Sequence, residues 1–159
     1  MVHRCDELAE LLTSRRKTMC CAESCTGGMI GAAITDMPGA SSFFNGSAVT
    51  YSNQSKMDIL GVPEDVIASH GAVSAETAEA MALGAARVYS ADYSVAVTGI
   101  AGPGGATADK PVGLVYIAVS DGSRCIVSRN VFDGDRRAVR SRTVEQAVDL
   151  LFDFVCGRL

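Results

Sequence analysis

A serine is a weak nucleophile at neutral pH until a base takes its proton, and a lysine can be that base only when burial or a neighbouring donor lowers its pKa. Lys56 is placed for this role. It follows Tyr51-Ser52-Asn53 just after an apolar, strand-like run, in a region poor in other cations, where partial desolvation favours the neutral amine. Tyr51 is its candidate neighbour. The competing reading is an ordinary solvated helix lysine, and spacing alone does not separate the two.

Other arrangements fail on chemical grounds. Ser14-Arg15-Arg16-Lys17 matches S-x-x-K literally, but three adjacent cations at a polar helix end describe a solvated face. His70 lies in Ala68-Ser69-His70-Gly71 with no partner motif and His3 is terminal, so no Ser-His-Asp set forms. The cysteines Cys5, Cys20, Cys21, Cys25, Cys125 and Cys156 include no paired C-x-x-C and fit no zinc spacing, so no metal and no cofactor is expected. Cys20, Cys21 and Cys125 read as small hydrophobes in strands. Cys25, at a helix start, is the alternative nucleophile, with no histidine placed to pair with it.

Two glycine-rich turns could meet a ligand. Thr26-Gly27-Gly28, with the Ser24 hydroxyl nearby, offers backbone N–H groups and a helix's positive end, an anion site in outline; the alternative is a tight turn only. The stretch from Gly99 to Gly105 is neither G-x-G-x-x-G nor a P-loop, which rejects a dinucleotide fingerprint. Glycines there either form a surface loop or let a flat ligand approach the backbone.

The elements that position these loops follow from periodicity. Leu8, Leu11 and Leu12 mark an opening helix, and Thr18 to Ala22 reads as a buried strand. A turn leads into a helix from Met29 to Asp36, broken by Pro38-Gly39. Ala48 to Tyr51 is the second strand, followed by a short helix before Gly61. Ser74 caps a helix with Ala78, Met81, Ala82, Ala85 and Tyr89 on one face. Ser94 to Thr98 is a core strand, and Gly113 to Ser120 pairs with Arg124 to Phe132 through the hairpin turn Asp121-Gly122. The last helix carries Val144, Ala147, Val148, Leu151 and Val155, with Arg136, Arg137, Arg140 and Arg142 in its first turns. The fold class is α/β, a single-domain three-layer α/β/α sandwich with a mixed β-sheet over residues 1–159. In such sheets ligands sit beyond the strands' carboxyl ends.

Composition narrows the partners. The 14 Lys and Arg against 18 Asp and Glu give a formal charge of −4, with no cationic surplus to track a phosphodiester backbone, so no nucleic acid is expected. No apolar stretch approaches membrane-spanning length, and Arg4, Asp6 and Glu7 interrupt any secretory signal; a cytoplasmic protein without membrane association is expected.

Several segments together carry a family resemblance. They are Ala22-Glu23-Ser24-Cys25-Thr26-Gly27-Gly28, Gly39-Ala40-Ser41-Ser42, Val49-Thr50-Tyr51-Ser52-Asn53 with Lys56, and His70-Gly71-Ala72-Val73-Ser74. Thr98-Gly99-Ile100-Ala101-Gly102-Pro103, Lys110-Pro111-Val112-Gly113 and Gly134-Asp135-Arg136 follow in order. Over nearly the whole chain this resembles the CinA C-terminal domain family, whose enzymatic members hydrolyse the carboxamide of nicotinamide mononucleotide to nicotinate mononucleotide and ammonia. The resemblance implies a metal-free Ser/Lys amidohydrolase with Lys56 as base. It matches Ser41 to the nucleophile, with Ser24 as rival, and departs from the family only at Ala40, often another serine. Tyr51, Thr98 with Gly99, and Arg136 match further site positions. In the implied mechanism Lys56 deprotonates Ser41, the alkoxide attacks the amide, and backbone N–H groups of a glycine turn hold the oxyanion. The substrate's 5′-phosphate then falls to Thr26-Gly27-Gly28 or to Arg136. A homo-oligomer is the expected assembly. The opposing class is a non-catalytic nucleotide-binding or regulatory protein linked to competence or DNA damage.

Overall fold

In the computed structural model, which describes residues 4–159, the apolar run Met19–Glu23 forms β1, fully buried along its length. Alternation of its side chains builds two cores. Met19 and Cys21 point into one apolar cluster, and Cys20 and Ala22 into another on the opposite face. Strands β2 (Phe44–Val49), β3 (Tyr93–Gly99), β4 (Leu114–Ser120) and β5 (Cys125–Val131) complete a five-stranded sheet of order β2-β1-β3-β4-β5. β1 runs parallel to β2 and β3, whereas β3–β4 and β4–β5 are antiparallel, so the sheet is mixed.

Helices cover both faces. On the first lie α1 (Cys5–Ser14), α2 (Met29–Thr35) and α6 (Arg136–Val155), which pack Leu8, Leu12, Ile30, Ile34, Val148 and Leu151 against the sheet. On the second, α3 (Asn53–Leu60) and α5 (Ala75–Tyr89) bury Leu60, Ala78, Met81, Ala82 and Ala85. The α/β/α sandwich is therefore the observed fold.

Local chemistry sets the helix ends. The Ser74 hydroxyl accepts the Thr77 N–H and Asp135 accepts the Ala138 N–H, capping α5 and α6. Ser52 caps α3 in the same way, and Gly61, at φ 66°, ends it. Gly84 of α5 lets α3 approach: a Cβ there would lie 2.1 Å from the Leu60 carbonyl oxygen. This contact fixes α3, and with it Lys56, beside the sheet.

Two elements differ from the sequence reading. β2 begins at Phe44 and ends at Val49 instead of spanning Ala48 to Tyr51, because it is an edge strand whose Asn45-Gly46-Ser47 segment lacks apolar alternation. Thr50 and Tyr51 leave the ladder. Residues after Pro63 form an additional helix, α4 (Glu64–His70), with Glu64 and Asp65 in its first turn and no fully buried residue, so no apolar stripe announced it. His3 lies outside the described residues. Among those described, no helix is long and apolar enough to cross a membrane.

Candidate active site

The chain leaves β1 toward the face of α2 and leaves β2 toward the face of α3, so the carboxyl ends of these neighbouring strands diverge, the position at which open α/β sheets form a ligand crevice. Glu23, the last residue of β1, organises its first wall. Its carboxylate is 0% exposed and accepts from Thr26 Oγ1 at 2.7 Å, Ser47 Oγ at 2.9 Å and the N–H groups of Gly28, Ile30 and Gly31 at 3.0, 3.0 and 2.9 Å. The first turn of α2 is thus capped from within the chain. This corrects the expectation that the helix start at Thr26-Gly27-Gly28 cradles the substrate's 5′-phosphate. The Thr26 hydroxyl and the Gly28 N–H are spent on Glu23, the Gly27 N–H bonds the Ser24 carbonyl, and a phosphate at the helix start would face a carboxylate.

Lys56 forms the second wall. Although only 1% exposed, it makes no ion pair among the described residues. Its Nζ lies 2.8 Å from the Thr50 carbonyl oxygen, 3.2 Å from that of Tyr51 and 3.1 Å from Ser24 Oγ. Burial holds its ammonium below the ordinary lysine range. A neutral amine has two N–H donors and one lone pair. Two carbonyls can only accept, so they take the two N–H groups and leave the lone pair facing the Ser24 hydroxyl.

Ser41 is not in this crevice. It is exposed in a 3₁₀ turn (Ala40–Ser42) that precedes β2, whereas Lys56 follows the other end of the strand. A strand of this length separates them by about 17 Å. The pairing of Ser41 with Lys56 is corrected accordingly, and the serine beside the lysine is Ser24, 8% exposed at the end of β1.

The remaining candidates are distributed around the crevice. Tyr51 is 61% exposed, and its contact with Lys56 is through the backbone carbonyl; its phenol accepts from Arg136 Nη2 at 3.1 Å. Arg136 Nη1 also donates to the Gly102 carbonyl at 2.9 Å, so this exposed arginine bridges the β2–α3 and β3–β4 loops. The buried Thr98 hydroxyl is committed to the Ala72 carbonyl at 2.6 Å. The open side of Gly99 faces β4, since a Cβ would lie 2.7 Å from the Leu114 carbonyl oxygen, and close packing of strands accounts for this glycine without a ligand. The Cys25 thiol is pushed up to about 11, chiefly by burial, which removes the thiolate a cysteine nucleophile needs. His70 ends α4 with Nδ1 3.4 Å from Glu76.

Sequence reading missed Glu23 as a cap and the two carbonyls that hold Lys56; an acidic residue ending an otherwise apolar strand was the available signal for the first. It also left open the role of Arg140, whose guanidinium binds the Cys25 and Thr26 carbonyls at 3.1 and 2.8 Å. Among the described residues no group of three or more metal-ligating side chains is gathered. A groove of about 740 Å³ between α1, α2 and α6, floored by Met29, Ala33 and Val144, lies away from the Ser24–Lys56 pair; its only thiol, Cys5, is pushed up to about 11 by burial.

The family model for the CinA C-terminal domain matches residues 3–155. A CinA-like protein of Endomicrobium trichonymphae is 52% identical over 141 residues, covering 89% of this chain and 33% of that protein. One from Citrifermentans bemidjiense is 51% identical over 153 residues, covering 96% and 37%. The chain thus spans about a third of the length of these curated relatives. Among solved structures, a CinA superfamily protein from Klebsiella pneumoniae superposes with a TM-score of 0.93 at 31% identity, covering 96% of each chain. The competence/damage inducible protein CihA from Agrobacterium tumefaciens gives 0.90 at 40% identity, covering 92% and 90%.

Proposed function

The chain belongs to the CinA C-terminal domain family, and we propose that it is a metal-independent amidohydrolase that converts nicotinamide mononucleotide to nicotinate mononucleotide and ammonia through Ser24 and Lys56. The observation that carries this reading is the buried Nζ of Lys56, donating to the Thr50 and Tyr51 carbonyls with Ser24 Oγ on its remaining valence.

The reaction runs in two halves. Lys56 Nζ accepts the Ser24 proton as Oγ attacks the carboxamide carbon, and the oxyanion is held by backbone N–H groups of the turn after Ser24. The resulting ammonium returns its proton to the amide nitrogen, the C–N bond breaks and ammonia departs, leaving an acyl ester on Ser24. Water, deprotonated by the same amine, then cleaves the ester, and the proton on Nζ goes back to Ser24 Oγ. Amide plus water gives acid plus ammonia. With the first turn of α2 closed by Glu23, the 5′-phosphate is assigned to Arg136, whose exposed guanidinium stands at the rim.

Purified protein incubated with nicotinamide mononucleotide and a chelator should release ammonia and nicotinate mononucleotide in equal amounts. Tight binding of the nucleotide without turnover would overturn this reading in favour of the non-catalytic class, a role in line with the relative from Clostridioides difficile that is named a putative competence-damage inducible protein.

A further inference from the structure

We propose that Arg140 is the positioning residue of the oxyanion site, turning the Thr26 amide toward the carbonyl that Ser24 attacks; this rests on Ser24 being the nucleophile. Arg140 lies on α6, on the first face of the sheet, and donates from Nε to the Cys25 carbonyl at 3.1 Å and from Nη2 to the Thr26 carbonyl at 2.8 Å. In a trans peptide the C=O and the following N–H point in opposite directions. A Cys25 carbonyl drawn toward α6 therefore sends the Thr26 N–H toward the other face, where α3 brings in Lys56.

The hydrogen bonding of the turn singles out this donor. The Gly27 N–H is taken by the Ser24 carbonyl, and the N–H groups of Gly28, Ile30 and Gly31 by Glu23. The Met29 N–H bonds the Thr26 carbonyl. Thr26 is 0% exposed, yet its own N–H donates to no other residue among those described. Buried backbone donors without partners are rare, and one placed two residues after a nucleophile has an evident use. A guanidinium on the carbonyls also polarises the peptides, strengthening the N–H groups at their far ends. Space around the clamp is tight, since a Cβ on Gly27, at φ 60°, would lie 3.3 Å from Arg140 Nη2.

The test compares Arg140→Ala and Arg140→Lys with wild type in two assays: steady-state turnover of nicotinamide mononucleotide, and the rate at which an activated phosphonate ester labels Ser24. The phosphonyl oxygen needs the same donors. For Arg140→Ala, kcat should fall about a hundred- to a thousand-fold with KM nearly unchanged, and labelling should slow by a similar factor. The pH at which labelling reaches half its plateau should not move, because Lys56 is untouched. Free guanidinium ion at millimolar concentration should restore part of the labelling rate in Arg140→Ala, a response that mere loss of a tie between α6 and the turn would not give. Wild-type labelling rates in a folded variant, or a loss confined to KM, would overturn the proposal. Should Arg140→Ala fail to fold, the labelling rate of Arg140→Lys decides by the same criteria. Labelling without ammonia release in wild type would remove the proposed substrate alone, whereas absence of labelling in wild type would remove the Ser24 assignment and this proposal together.

Discussion

Lys56 is held by two carbonyls and a hydroxyl with no carboxylate beside it, and burial lowers the pKa of its ammonium. If it serves Ser24 as base, the two act as one unit. Ser24→Ala and Lys56→Ala should each lower kcat by roughly a thousand-fold or more, and the double variant should be hardly worse than either. Ser41→Ala, far from the crevice, should keep wild-type turnover; multiplicative losses in the double variant would separate the pair. The same burial has a pH signature. Because the folded pKa of Lys56 lies below its unfolded value, the unfolded chain binds more protons between the two, so stability rises with pH across that window and is flat below the folded pKa. Turnover should climb through the folded pKa to a plateau, since only the neutral amine accepts the Ser24 proton. Urea midpoints at a series of pH values provide the check: any excess stability of Lys56→Met over wild type should shrink as pH rises. An excess that is the same at every pH would mean that Lys56 carries no depressed pKa.

At the scale of elements, the turn between β1 and α2 depends on one carboxylate. Glu23→Ala would leave three backbone N–H groups and two hydroxyls without their acceptor in a buried site. An unsatisfied buried donor costs about 1–3 kcal/mol, so the variant should lose at least about 2 kcal/mol in urea unfolding. A midpoint equal to that of wild type would show that water replaces the carboxylate. The elements themselves were legible to different degrees. α5 was readable because Ser74 is a strong cap and its apolar positions keep helical spacing; β3, β4 and β5 were readable as apolar runs bounded by turn residues. β2 shifted and α4 escaped because an edge strand and an exposed helix carry little apolar pattern. Choosing between Ser24 and Ser41 required knowing which end of a strand each occupies. Ser24 follows β1 and Ser41 precedes β2, and in a parallel pair those are opposite ends. The hydrogen bonding of Glu23 to backbone donors was hidden for another reason: it depends on the path of a glycine turn, which side-chain pattern does not encode.

At the scale of the whole molecule, the crevice exists because the chain crosses from β2, at one edge, over β1 to β3, bringing the β2–α3 loop and the β3–β4 loop to one rim. Arg136, at the start of α6, ties the two loops by donating to Tyr51 Oη and to the Gly102 carbonyl. It reaches the rim from the face opposite α3, so all three layers of the sandwich meet there. An exposed guanidinium in that position can take a substrate's phosphate without competing with Glu23, whose carboxylate closes the start of α2. The expected consequence is selectivity for a phosphorylated substrate. Nicotinamide mononucleotide should be hydrolysed far better than nicotinamide riboside or free nicotinamide, because the phosphate supplies binding energy that orients the amide at Ser24. Arg136→Ala should lower kcat/KM for the mononucleotide by about 10- to 100-fold, the size of a charge-assisted hydrogen bond, while changing that for the riboside little. Measuring both substrates on the same variant separates recognition from architecture. Equal losses for the two would mean that Arg136 only braces the loops through Tyr51 and Gly102, and that the phosphate is bound elsewhere.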